Sequence, residues 1–146
     1  MQKESMKQYL KKNMYEDGRL KIMKTLNVKG APSAIGPYSH AAIAGDLLFV
    51  SGQLGIDPEN GTLLEGVKAQ TVQALANLKT IVEGASFKVD HIVKATIYLK
   101  NMDDFQIVNG LYGEFMGDHK PARVAIGVKQ LPMDADVEID AIVHQG

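Results

Sequence analysis

Residues 91–128, HIVKATIYLKNMDDFQIVNGLYGEFMGDHKPARVAIGV, read as strand, helix, strand. His91 to Leu99 alternates, with Val93, Ala95, Ile97 and Leu99 on one face and Ile92, Lys94, Thr96 and Tyr98 on the other. Asp103 and Asp104 then open a helix, where negative charge is favourable. Phe105, Val108, Leu111, Tyr112, Phe115 and Met116 form its apolar face, and Gly117 suits its end. Val124 to Val128 turns apolar again as a strand. A helix between two strands predicts a right-handed crossover.

The same unit occurs once upstream. Leu47-Leu48-Phe49-Val50 is a continuous apolar run, the pattern of a strand covered on both faces, and it ends in Ser51-Gly52-Gln53. Val67, Thr71, Ala74, Leu75, Leu78, Ile81, Val82 and Ala85 then recur at helical spacing, with Gln70, Gln73, Asn77 and Lys79 largely elsewhere. Lys24 to Val28 predicts a first strand, and Ala41-Ala42-Ile43 a second that leads into a Gly45-Asp46 turn. Asp57 to Gly61 is turn chemistry, and Val137 to Val143 is the last strand. The order β-β-β-α-β-α-β-β predicts an α+β domain, a mixed sheet with two helices on one face. The other face needs cover, and oligomerisation supplies it.

The 146 residues suffice for one domain, and the absence of Cys excludes disulfides and thiol chemistry. Residues 1–22 carry six basic and three acidic side chains, a net charge of +3; residues 23–146 carry ten and fourteen, a net of −4. Residues 1–22 read as an extension, and Met23 could be a natural start. The extension is either a basic arm for a partner or, as preferred here, an appended segment without a catalytic role. Residues 23–146 are then a single domain. An acidic body argues against a phosphate-backbone partner. No apolar run approaches a membrane span and the first residues lack a secretory h-region, so a cytoplasmic setting is expected.

Arg123 is one of two arginines in the chain; the other basic residues after residue 22 are lysines. A guanidinium binds a carboxylate or phosphate through a rigid fork, which an ammonium cannot do. It either serves such a ligand or forms a structural ion pair. Glu138 alternates with apolar neighbours in the last strand, sharing a face with Asp140 and Ile142. It is either solvated or partly buried, and partial burial would raise its pKa toward a general base's range. Ser51-Gly52 marks either a bulge or close approach to a ligand. Tyr38, in the stiff Gly36-Pro37-Tyr38 loop, either contacts substrate or packs. Asn109 borders the apolar face of the second helix and needs partners. The four histidines show no paired metal spacing, and no phosphate loop or dinucleotide fingerprint is present.

Taken in order, Ala34-Ile35-Gly36-Pro37-Tyr38, Val50-Ser51-Gly52-Gln53, Val93-Lys94-Ala95-Thr96, Asp104-Phe105 with Val108-Asn109, Pro121-Ala122-Arg123 and Val137-Glu138-Ile139 resemble the RidA (YjgF-type) reactive intermediate deaminases. The resemblance spans residues 24 to about 144, and Arg123 marks the carboxylate-binding branch. It implies a chorismate mutase-like protomer in a homotrimer with a central barrel and sites between subunits. It implies hydrolysis of 2-iminopropanoate and 2-iminobutanoate to 2-oxo acids and ammonia, without metal or organic cofactor. Arg123 would clamp the substrate carboxylate and Glu138 would orient or activate water, with Tyr38, Ser51, Gly52 and Asn109 lining the cleft. The sequence departs from many relatives at Ala125, where Cys is common, and looks shorter than some between His119 and Pro121. Two rival readings stay open: an endoribonuclease or translation inhibitor, and a non-catalytic metabolite-binding module.

Overall fold

The computed structural model describes residues 23–146 and, before them, Ser5, Gln8, Tyr15, Glu16, Arg19 and Leu20. The sequence from Ser5 to Leu10 suits a short helix, but apart from Ser5 and Gln8 that stretch lies outside the described residues. Two short strands, β1 (Tyr15–Glu16) and β2 (Arg19–Leu20), pair antiparallel.

The main sheet has six strands: β3 (Met23–Leu26), β4 (Ala41–Ala44), β5 (Leu47–Leu54), β6 (Ile92–Leu99), β7 (Ala122–Gly127) and β8 (Val137–His144). Helix α1 (Val67–Gly84) joins β5 to β6, and α2 (Phe105–Met116) joins β6 to β7. The strand order is β3-β4-β5-β8-β6-β7. Among the described strands only β6 and β7 pair parallel; β8 lies between β5 and β6, antiparallel to both.

Both helices pack on one face, as the two amphipathic patterns require. The core there joins Leu48 and Val50 of β5, Ala95, Ile97 and Leu99 of β6, and Val137, Ile139, Ala141 and Val143 of β8 to Leu78, Ile81 and Val82 of α1 and Val108 of α2. The opposite face is covered at one end by a smaller cluster. There Leu54, Leu131 and Ala135 pack with Ile56, Leu63, Tyr98 and Val128. The rest of that face leaves Phe49, Val93, Val124 and Ile126 between 42% and 47% exposed.

Three sequence expectations need correction. The run 47–50 is covered on one face of the protomer only, because Phe49 pairs with Ile142 on the open side. The face assignment at the start of β6 fails at a register shift between Ile92 and Lys94, which buries Ile92 and exposes Val93. Gln70 and Asn77 are buried on α1, where they satisfy backbone groups that apolar side chains would leave unpaired. Asn77 donates to the carbonyls of Leu54 (3.1 Å) and Ile56 (2.9 Å). Gln70 donates to Asp136 Oδ2 and accepts from its backbone N–H. At Gly55 the end of β5 runs against the backbone of Gln70 so closely that no side chain fits.

Candidate functional site

A cleft of about 500 Å³ opens at the end of β5 on the open face. Four of the six expected site residues line it: Tyr38, Ser51, Gly52 and Glu138. Ser51 and Gly52 sit in a bulge of β5, between the pairs Val50–Ala141 and Gln53–Ile139. The bulge reading of this dipeptide therefore holds. The bulge brings the Gly52 backbone beneath the Glu138 side chain. A Cβ on Gly52 would come within 2.7 Å of the Glu138 carboxyl carbon and collide with Oε1.

Glu138 is half-buried. Burial pushes its carboxyl above the ordinary glutamate value, and the negative Asp140 on the same face adds to the rise. Tyr98, opposite Glu138 on β6, donates its hydroxyl to Asp140 Oδ2 at 2.8 Å. Among the described residues nothing donates a hydrogen bond to the Glu138 carboxylate, so both oxygens are available to a ligand or water.

The other polar groups of the cleft are partly committed. Ser51 Oγ donates to the carbonyl of Ser39 at 2.6 Å, which leaves the oxygen as an acceptor but gives it no base. The buried His40 accepts from the Val28 N–H at Nδ1 (2.9 Å), so its Nε2 carries the proton and meets the Pro32 carbonyl at 2.7 Å. With both nitrogens engaged, His40 braces the wall and cannot act as a base. Tyr38 accepts the Ile35 N–H at 3.3 Å, which leaves its own proton free to donate. Glu138 is the only carboxylate among the cleft's lining residues.

Arg123 and Asn109 form a second cluster, away from this cleft. Arg123 is the second residue of β7 and is level with Ala95, which faces the helices. Its Nη1 donates to Asn109 Oδ1 at 2.7 Å, and its guanidinium lies 5.0 Å from the Tyr112 ring centre and 5.7 Å from that of Phe105. The partner that Asn109 needed is therefore this guanidinium. Among the described residues Arg123 meets no carboxylate at ion-pair distance. The structural ion pair weighed from sequence is absent there, and most of the N–H fork remains for an anion. Among the described residues no group of three or more His, Asp or Glu is arranged to hold a metal ion, and no helix is long and apolar enough to cross a membrane.

Two features of the cleft escaped sequence reasoning. One is His40, whose buried, doubly bonded ring has no periodic signal. The other is the rim at Pro132–Asp134, where Met133 has φ 57° and lines the cleft. A Leu-Pro pair in a loop was the only local hint.

The fold just described recurs in known proteins. The sequence profile described as endoribonuclease L-PSP matches residues 28–145, so this chain belongs to that family, the RutC/YjgF group. A RutC family protein of Pyrococcus horikoshii is 47% identical over 118 residues, covering 80% of this chain and 94% of the relative. The 2-iminobutanoate/2-iminopropanoate deaminase of Salmonella typhimurium is 43% identical over 124 residues, covering 83% and 97%. The crystal structure of E. coli TdcF with bound serine superposes with a TM-score of 0.80 at 34% identity, covering 84% and 99%.

Proposed function

We propose that this protein hydrolyses 2-imino acids, such as 2-iminopropanoate and 2-iminobutanoate, to 2-oxo acids and ammonia. The observation that carries the reading is Glu138, a half-buried carboxylate with a raised pKa and no hydrogen-bond donor among the described residues, in a cleft without another charged side chain. The names of relatives such as the Salmonella deaminase support it.

In this reading the working site lies between copies in a homotrimer of chorismate mutase-like protomers around a central barrel. Arg123 and Asn109 of one copy complete the cleft that holds Tyr38, Ser51, Gly52 and Glu138 of the next. The open sheet face supports this: its exposed Phe49, Val93, Val124 and Ile126 are the surface a barrel would bury. Residues 23–146 form the catalytic domain, and residues 1–22 an appended segment without a catalytic role. The setting is cytoplasmic.

Arg123 binds the substrate carboxylate through its fork, a contact worth roughly 1.5–3 kcal/mol net. Glu138 accepts a proton from water as the water oxygen bonds to C2 and the C=N electrons move to nitrogen. The resulting amine takes up a proton from solvent and leaves as ammonia when the C2 hydroxyl closes to the ketone and gives its own proton to solvent. Glu138 returns its proton to solvent, so the overall change is imine plus water to ketone plus ammonia. A protonated imine is already electrophilic, so neither a covalent nucleophile nor a cofactor is required. General-base assistance is worth about 10²–10⁴-fold.

The test generates 2-iminopropanoate in situ and follows its loss. The wild type accelerates it, Arg123→Ala removes nearly all acceleration, and Arg123→Lys rescues poorly because a point charge lacks the fork. A rate equal to the spontaneous one overturns the reading. The family's description favours a second reading, RNA cleavage. It requires cleavage by the same preparation, with binding that weakens steeply with salt and activity lost in Arg123→Ala.

A further inference from the structure

We propose that Met133 is a specificity-determining residue and that the site prefers 2-imino acids with a long, apolar, unbranched side chain over the one- and two-carbon side chains. This deepens the deaminase reading above and rests on it.

The first ground is the shape and chemistry of the cleft. In one chain, before a neighbouring copy closes it, its volume of about 500 Å³ lies in the range that drug-sized ligands fill. The polar groups gather at Glu138, Ser51 and Tyr38. Ser33, His40 and Gln53 add polar atoms, and the rest of the wall is Pro32, Ile35, Leu54, Ile56, Pro132 and Met133, without a charged side chain. A substrate whose imine carbon sits at Glu138 has the apolar wall of Ile35, Leu54, Ile56, Pro132 and Met133 beside it.

The second ground is the backbone at Met133. It has φ 57° and Asp134 φ 55°, two consecutive residues in the left-handed region, which non-glycine residues avoid. Such a conformation persists only where its surroundings over-determine it, and it is a reason to look for function. The surroundings are present. Leu131 and Ala135 on either side are buried, Asp134 forms a 2.8 Å ion pair with Lys100, and the Asp134 and Ala135 N–H groups bond the carbonyls of Leu131 and Pro132. The loop thus holds an exposed, apolar Met at the rim of the cleft that Ile35 also lines. Its unbranched thioether adapts to a linear chain better than to a branched one.

Each methylene buried against this wall raises binding by about fourfold. The test uses the full chain with imines generated by an amino-acid oxidase from alanine, norvaline, norleucine, leucine and lysine. The expected result is kcat/KM rising by about fourfold per methylene from the alanine to the norleucine product, with the lysine product lowest. Met133→Gly removes the side chain while suiting the left-handed backbone. It should lower the norleucine-to-alanine ratio by at least ~10-fold, and Met133→Leu should keep most of it. Acceleration with the alanine product but no rise with length, or a ratio unmoved in Met133→Gly, overturns this inference and leaves the deaminase reading standing. No acceleration with any imine overturns both.

Discussion

Arg123 and Glu138 lie on opposite faces of one sheet. Arg123 is level with Ala95 on the helix-covered side, whereas Glu138 is level with Tyr98 on the open side, and β6 runs between their strands. Within one chain they cannot grip the same small molecule. If they serve one site, the guanidinium and the carboxylate come from different copies.

That geometry predicts complementation. Arg123→Ala and Glu138→Gln should each be nearly inactive alone. Unfolded together in equal amounts and refolded, they should recover about a quarter of wild-type activity, because about a quarter of the interfaces pair an intact Arg123 with an intact Glu138. A mixture no more active than its parents places the site within one chain.

Glu138 should govern the acid limb of the pH–rate profile. A base must be ionised to work, and its carboxyl is raised by burial and by Asp140, so kcat/KM should fall at a pH above the ordinary glutamate range. Asp140→Asn removes the second cause and should move this limb to lower pH. An unmoved limb assigns it to another group.

The same shift sets a stability effect of defined sign. Because the folded pKa is raised, the native state binds more protons than the unfolded chain between about 4.3 and that raised value. Ionising Glu138 therefore costs stability, a cost absent at lower pH and complete above the folded pKa. Glu138→Gln should melt with the wild type in acid and above it near pH 7.5, while losing activity. A lower melting temperature at pH 7.5 would contradict the burial argument.

Gly52→Ala should uncouple the site from the fold. The added methyl must displace the Glu138 carboxylate, and such overpacking typically costs about 1–3 kcal/mol. Activity should fall at least ~10-fold, the scale on which misplaced catalytic groups act. Gly52→Ala with unchanged kcat would show that the carboxylate's position is not critical.

Asn77→Ala should destabilise by about 2–4 kcal/mol, since it strips the partner from two carbonyls in a buried setting. Those carbonyls belong to Leu54 and Ile56, both in the cleft wall, so KM should rise along with the loss of stability. Chemical denaturation and steady-state kinetics on one preparation test both effects.

Local periodicity carried the elements: β6, β8 and both helices were readable to within a few residues, and so was the alternation that sets Glu138 with Asp140. What escaped is non-local. No spacing reveals that the final strand inserts between β5 and β6, and that insertion places Arg123 and Glu138 on opposite faces. Polar residues at helical positions look like a solvated face, yet Gln70 and Asn77 are buried because distant backbone groups need them. The bulge at Ile92 shifts a face by one residue, which an alternation count cannot see. Of the six candidates read from sequence, four line one cleft and two form a second cluster, a division that no spacing reveals.

The bulge in β5 has a consequence for how this protein can change. Three steps along β5 from Val50 to Gln53 match two along β8, from Ala141 to Ile139. The extra residue acts as a phase inverter. Deleting Ser51 or Gly52 would not trim a loop; it would leave a regular ladder, with Gln53 still opposite Ile139 and Leu54 still opposite Glu138, and erase the bulge that sets the backbone beneath the Glu138 carboxylate. Length is therefore locked at the floor of the cleft and free only in the loops around it. Descendants of this sequence can acquire new substrates by redrawing the rim, while the strand beneath the carboxylate keeps count.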